Sequence, residues 1–201
     1  MTGITHTTAL WYASRATGVV TMLLLTAVVL LGILVNRQGR LPGLPGFAVT
    51  GLHRNVSLLA VAFLAIHVVT AIADPYVTIG LAAAVLPFAS AYKPLWLGLG
   101  AISLDLIAAL ILTSLARARM GRRAWRAIHW LAYAAWPLAV VHSLGSSSDA
   151  RSGLVLGVLA GCVLAIVAAL AWRLSRAARE VPRAGRAAAT LSRMTARNAD
   201  L

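Results

Sequence analysis

Long apolar runs alternate with short polar stretches along this chain. Five of the runs are long enough to cross the hydrocarbon core of a bilayer, which takes roughly 20 residues as a helix. They are Leu10–Val35, Leu52–Ala73, Pro94–Leu115, Trp125–Leu144 and Gly153–Leu174. An open chain crosses lipid as helices because its backbone amides must be paired internally. The pattern therefore predicts an all-α integral membrane protein, a bundle of five transmembrane helices.

The connections between the first three helices differ in kind. The loop Asn36–Gly51 contains two prolines, and Asp74 followed by Pro75 ends the second helix. The stretch Thr78–Ala91 is apolar but too short for a crossing, so we expect a short interfacial segment between helices two and three and not a span. We expect residues 1–175 to form the transmembrane domain and residues 176–201 a basic cytoplasmic tail that is partly disordered.

Composition agrees with a lipid environment, and charge sets the orientation. Charged residues make up only 11% of the 201 residues, whereas soluble domains carry about 25%. The net charge of +13 is concentrated at helix ends and in the tail, which indicates contact with the lipid bilayer and not with nucleic acid. With five spans, fifteen basic residues fall on one side and three on the other. This predicts a multi-pass plasma-membrane protein with its N-terminus outside and its C-terminus in the cytoplasm.

Four histidines lie inside the predicted spans. His53 and His67 are both on helix two, and His129 and His142 are both on helix four, with nearly equal spacing within each pair. Ionisable residues inside a membrane are costly and usually functional. Each pair spans about 20 Å along its helix, so one imidazole from each helix lies at each of two depths. Two stacked b-type haems, ligated by His53 with His129 near the inner face and His67 with His142 near the outer face, account for all four histidines as axial ligands of haem iron.

The spacing of the two histidines on helix four has a geometric consequence. Residues on an ideal helix turn by about 100° each, so His129 and His142 would point about 140° apart. Both must reach the same partner helix. We therefore predict a distortion between them, placed at Pro137, which cannot donate to residue 133.

A different function class fits part of the same pattern. Histidine chains also serve proton channels and His-based transporters, which need no haem. Such proteins usually bring an acidic residue into the membrane, and here the one candidate is Asp105 on helix three. A zinc site would need four ligands at one depth, whereas the histidines provide two at each of two depths.

The residues also carry a resemblance. Ser14-Arg15 at the head of helix one, the His53/His67 pair and the arginine-rich loop before the His129/His142 pair are similar to the ferric reductase-like transmembrane domain family. That family includes the haem domains of NADPH oxidases and ferric reductases, and the haem-binding membrane subunit of a methionine sulfoxide reductase. The resemblance implies a transmembrane di-haem cytochrome that relays electrons as the membrane module of an oxidoreductase. It also implies that Arg15 contacts the outer haem or its propionates, although an arginine extended to the membrane interface explains this position equally well.

The positions of two further arginines make them candidates for contact with the inner haem. Arg54 and Arg126 lie near the inner haem depth and are candidates for binding its propionates, although positive-inside topology explains them equally well. No catalytic residue is predicted. Only a short tail follows Leu174, without a glycine-rich dinucleotide fingerprint, so we expect no flavin or nicotinamide site in this chain. A separate electron donor, a flavoprotein or a quinol, and an acceptor of unspecified nature are expected.

Overall fold

A computed structural model describes residues 2–36, 45–75, 77, 79–146 and 153–175. These residues form seven α-helices joined by turns. The helices are α1 (Thr2–Asn36), α2 (Gly46–Ala73), α3 (Leu81–Val85), α4 (Pro94–Leu115), α5 (Arg122–His129), α6 (Ala132–Ser146) and α7 (Gly153–Ser175). The chain divides into two compact units, residues 1–162 and residues 163–201. Residues 37–44 of the predicted first loop and the predicted tail, residues 176–201, lie outside the described residues.

Among the described residues, four helices are long and apolar enough to cross a membrane. They are Ala9–Leu34, Gly46–Ala73, Pro94–Arg119 and Gly153–Ser175. The fourth predicted span, Trp125–Leu144, is not among them because the chain breaks there into α5 with 8 residues and α6 with 15. Each piece is shorter than the roughly 20 residues that one crossing takes. The prediction of helical membrane spans is thus confirmed for four of the five.

The break between α5 and α6 lies at Trp130 and Leu131. There the backbone changes to tighter bonds, with the Leu131 N–H donating to the Ile128 carbonyl at 2.9 Å and the Tyr133 N–H to the Trp130 carbonyl at 3.0 Å. A distortion between His129 and His142 is therefore confirmed, but its predicted place is wrong, because Pro137 lies inside α6. Tight 3-10 turns advance about 20° more per residue than an α-helix. That extra rotation reduces the angular offset that an unbroken helix would leave between the two histidines.

Two of the predicted boundaries show how local sequence sets helix ends. Helix α4 has the predicted bounds and begins with proline at its first position, where the missing N–H costs no hydrogen bond. Helix α2 begins earlier than predicted, directly after Pro45, whose φ of −67° already suits a helix start. The glycines at 46 and 51 favour a loop by propensity, but the helix extends through them. Among the described residues of the predicted interfacial segment, the five-residue helix α3 is the helical part.

Helix α6 contacts both α1 and α4. Helix α1 packs along α2, and α4 packs along α6. The Trp136 indole N–H donates to Oγ1 of Thr26 at 3.0 Å, which joins α6 to α1. The buried Ser103 hydroxyl donates to the Ala135 carbonyl at 2.9 Å, which joins α4 to α6. Lys93, in the left-handed conformation at φ 42°, donates from Nζ to the last carbonyls of α6 and so satisfies groups that a helix end leaves unpaired.

Candidate functional site

The four histidines named from the sequence lie in two pairs, each joining α2 to the α5–α6 region. The rings of His53 and His129 have centroids 6.4 Å apart and planes at 65°. The two rings meet edge to face, and we call these residues the stacked pair because Trp125 stacks on His129. His67 and His142 both line one cavity of about 720 Å³, and we call them the cavity pair. The structure therefore brings together the same histidines that depth matching paired.

Both imidazoles of the cavity pair are fixed by backbone carbonyls of neighbouring helices. Nδ1 of His67 lies 2.8 Å from the carbonyl oxygen of Ser14 on α1. Nδ1 of His142 lies 2.8 Å from the carbonyl oxygen of Trp96 on α4. A carbonyl only accepts, so both Nδ1 atoms carry the proton and both Nε2 atoms present a lone pair. Neither Nε2 atom hydrogen-bonds to a residue in the described ranges.

The cavity is mainly apolar, with a few polar groups. Arg15 lines it, with its guanidinium 4.3 Å from the centroid of the Trp11 ring. The buried Asp74 and the half-buried Ser14 line it as well. Of the three arginines named from sequence, Arg15 is the one that the structure brings to the cavity pair.

The stacked pair has a different environment. Nδ1 of His53 and Nδ1 of His129 are buried without a hydrogen-bond partner in the described part of the chain. The backbone of Val28 lies close to the His53 ring but does not reach hydrogen-bond geometry with Nδ1. Trp125 stacks on His129 with centroids 4.7 Å apart and planes at 24°, and the Arg117 guanidinium lies 4.4 Å from the Trp125 ring. The side chains of Arg117, Trp125 and His129 thus stack in that order on one side of this pair.

The remaining arginines lie on the surface near the stacked pair. Arg126 is exposed and lines a small pocket of about 100 Å³ with Arg117, Arg122 and Trp125. Arg54 follows His53 in sequence but is exposed and lines neither this pocket nor the large cavity. Asp105, the acidic residue of the transporter alternative, is exposed on α4 and lines neither cavity.

Sequence reasoning missed the groups that hold the histidines. A Cβ atom at Gly18 would lie 3.0 Å from Nδ1 of His67, and one at Gly100 would lie 2.5 Å from Nδ1 of His142. Gly32 faces His53, with 3.6 Å from its Cβ position to Cε1. A signal was available, because the separation of Gly18 and Gly32 along α1 equals that of His53 and His67 along α2.

The histidines that could bind a metal are arranged as two pairs. Within the described residues, no group of three or more histidine, cysteine, aspartate or glutamate side chains is placed to hold a bare metal ion. Two facing imidazoles could bind a metal ion that is already held by another, non-protein ligand at its remaining coordination positions.

The chain matches a known family of proteins. The model described as "ferric reductase like transmembrane component" matches residues 17–140. The matched range includes three of the four histidines and ends just before His142. No curated protein and no solved structure matches the chain.

Proposed function

Since this chain belongs to the ferric reductase-like transmembrane component family, we propose that it is a di-haem b-type cytochrome that relays electrons across or into the membrane. In this role it is the membrane module of an oxidoreductase, ferric reductase-like in architecture. Domains of this family generally bind haem, and a membrane electron-transfer module is the function that membership suggests. The number of haems and the residues that hold them are the added content of the proposal.

The distance within the stacked pair is the observation that carries the proposal. Two nitrogens that bind one metal from opposite sides lie about 4 Å apart, because each metal–imidazole bond is roughly 2.0–2.1 Å. The ring radius on both sides brings the expected separation of ring centroids to about 6 Å. The separation between His53 and His129 is 6.4 Å. The separation fits two imidazoles that would hold one iron between them, and it also lies within the range of about 4.5–7 Å for ordinary ring pairs.

The cavity pair supports a second haem on independent grounds. Metal-binding histidines usually donate their other ring N–H to a carbonyl or carboxylate, which fixes tautomer and orientation. Both His67 and His142 do so. The cavity of about 720 Å³ lies within the roughly 300–1,000 Å³ typical of cofactor pockets.

The protein's own residues would bind, orient and shield the two groups. The histidines would hold the iron, Arg15 would bind a propionate of the cavity-pair haem, and Arg126 would bind a propionate of the stacked-pair haem. Each bound b-type haem supplies a one-electron iron couple, and two at different depths supply a relay. Trp136 and Thr26, hydrogen-bonded to each other, would keep α6 and α1 together between the two depths.

Topology completes the proposal. We place α5 and α6 together as a fifth crossing of the plasma membrane, interrupted at Trp130 and Leu131. The arginine-rich turn before α5 then lies in the cytoplasm, and the N-terminus lies outside. This puts the stacked pair near the inner face and the cavity pair near the outer face.

Electrons would enter from a separate donor, a flavoprotein or a quinol. Three exposed arginines beside the stacked pair, Arg117, Arg122 and Arg126, give the inner face a positive potential that favours docking of an acidic protein. Arg54 adds to the same charge. The acceptor would then take electrons from the cavity pair at or beyond the outer face.

The direct test is the haem content of the purified protein. We expect a b-type reduced-minus-oxidised spectrum and a pyridine haemochrome stoichiometry of two haems per chain. Replacing His6, which precedes the apolar part of α1, serves as the control histidine variant and should retain both. A colourless protein from cells that make haem would overturn the proposal and favour the transporter or proton-channel alternative.

A further inference from the structure

Three of the four histidines meet the neighbouring helix at the same kind of place. Each ring lies beside the backbone carbonyl of one residue and the glycine four positions later in the same helix. The sets are Ser14 and Gly18 for His67, Trp96 and Gly100 for His142, and Val28 and Gly32 for His53. The arrangement recurs on two different helices, α1 and α4, so it is not the accident of one contact.

The geometry of an α-helix explains why the second member is glycine. The carbonyl of residue i accepts the N–H of residue i+4. Because side chains lean towards the helix N-terminus, a side chain at i+4 would cover that carbonyl. Glycine leaves it open, and a carbonyl oxygen has a second lone pair for another donor. An imidazole can then lie against the helix backbone and donate to it.

The three glycines approach their histidine rings to different extents. The distance from the Cβ position of the glycine to the imidazole is 2.5 Å at Gly100, 3.0 Å at Gly18 and 3.6 Å at Gly32. The value at Gly100 is closer than real Cβ atoms approach other atoms, and the value at Gly18 is tighter than most real contacts. At these two sites Nδ1 makes its 2.8 Å hydrogen bond. The third is an ordinary contact distance, and there Nδ1 of His53 makes no hydrogen bond in the described structure.

We propose that Gly18 and Gly100 are positioning residues, which let His67 and His142 hydrogen-bond to Ser14 and Trp96 and so set the ligand properties of the cavity pair. The inference rests on the proposed function, in which these histidines hold a haem. Donation from Nδ1–H to a carbonyl makes Nε2 a stronger electron donor. A stronger donor stabilises ferric over ferrous iron, so these two glycines lower the reduction potential at the cavity pair.

The experiment is a redox titration of the full-length, haem-loaded protein with alanine at each glycine in turn. Gly100→Ala and Gly18→Ala are the test variants. Gly32→Ala tests the looser contact at His53, where the Cβ position lies 3.6 Å from the ring. Gly157→Ala is the control because nothing lies within 4 Å of its Cβ position. Alanine is the better helix former by about 1 kcal/mol, so lower helix propensity cannot account for a loss. His142→Ala, expected to lack the cavity-pair haem, assigns the two signals.

For Gly100→Ala we expect the cavity-pair potential to rise. The expected change in the ratio of oxidised to reduced haem at fixed potential is about tenfold, or about 59 mV for one electron. Loss of the carbonyl contact should also weaken haem retention there by about 10- to 100-fold. Gly18→Ala should do the same to a smaller extent, and Gly32→Ala and Gly157→Ala should match the parent protein. The stacked-pair signal should stay unchanged in all four and so report that the protein is folded.

Three outcomes would decide against the inference. Equal potentials and haem retention in Gly100→Ala and Gly157→Ala would overturn it while leaving the proposed function intact. A loss of both haems together in Gly100→Ala and Gly18→Ala would show a general packing role instead. A haem-free parent protein would overturn the proposed function, and the inference with it.

Discussion

The cavity pair and the stacked pair use the same residue type in two different surroundings. At the cavity pair, both imidazoles donate Nδ1–H to carbonyls of other helices, at 2.8 Å each. At the stacked pair, both Nδ1 atoms are buried and unpartnered within the described residues, and so is Nε1 of Trp125 beside them. These three atoms are the buried side-chain nitrogens and oxygens without a partner in the described part of the chain.

The comparison separates two ways of holding a ligand. Backbone carbonyls fix the cavity pair, so its geometry depends on close approach between helices and on the absence of side chains at Gly18 and Gly100. An aromatic side chain supports the stacked pair through the Trp125–His129 contact. Buried polar atoms without partners cost about 1–3 kcal/mol each, so we expect the stacked pair to be the less stable arrangement of the two. The predictions below test whether the two pairs are independent.

The largest expected effect comes from removing a ligand. His67→Ala or His142→Ala should abolish one haem and leave the other, because only the haem proposed at the cavity pair would lose one of its two histidine ligands. His53→Ala or His129→Ala should remove the other haem. Pyridine haemochrome analysis with redox-resolved spectra measures this, and His6→Ala is the control. Two haems per chain in both cavity-pair variants would show that the pairing by depth is wrong.

A smaller effect should follow from removing the aromatic support of the stacked pair. Trp125→Leu deletes the ring that lies 4.7 Å from His129. An aromatic contact of this kind is worth about 0.5–1.5 kcal/mol, which corresponds to a loss of haem affinity of about 2- to 12-fold. Haem transfer to apomyoglobin, followed for each site, measures it.

The matched control for that variant is Trp130→Leu. Trp130 lies one residue after His129, and its ring faces Tyr133 at 5.2 Å. We expect parental haem affinity at both sites in this control. If Trp125→Leu lowered haem affinity at the cavity pair as much as at the stacked pair, the two environments would not be independent.

Much of this arrangement could be predicted from sequence, and the exceptions have physical causes. The bounds of α4 follow from proline at its first position and the apolar run behind it. The grouping of the four histidines into two pairs follows from their spacing, which a helix converts directly into distance along its axis. The place of the break between α5 and α6 could not be read from Pro137, because removing one N–H bends a helix without fixing where the neighbouring turn tightens.

The supporting contacts were harder to predict because they depend on which helices become neighbours. Trp125 was assigned only to the start of a span, and its stacking on His129 needs the local path of α5. The left-handed residues Phe88 and Lys93 are not of the types that favour positive φ, so sequence offers no signal for the turns they make. The paired glycines of α1 do carry a signal, since their spacing copies that of the histidines on α2.

The smallest expected effect concerns the link between the two depths. Thr26→Val removes the acceptor for the Trp136 indole N–H, a contact of 3.0 Å between α1 and α6, with little change in volume. Interhelical hydrogen bonds in membranes are worth about 0.6 kcal/mol on average. Because this contact joins the helices that bear on both pairs, both haems should be released about threefold more readily, in equal proportion. Thr113→Val is the control, since the Thr113 hydroxyl donates, within the described residues, to carbonyls of its own helix. Time-resolved loss of each haem in detergent measures the effect. A change confined to one haem would show that α6 transmits strain to that pair alone, and would contradict a shared support between the two sites.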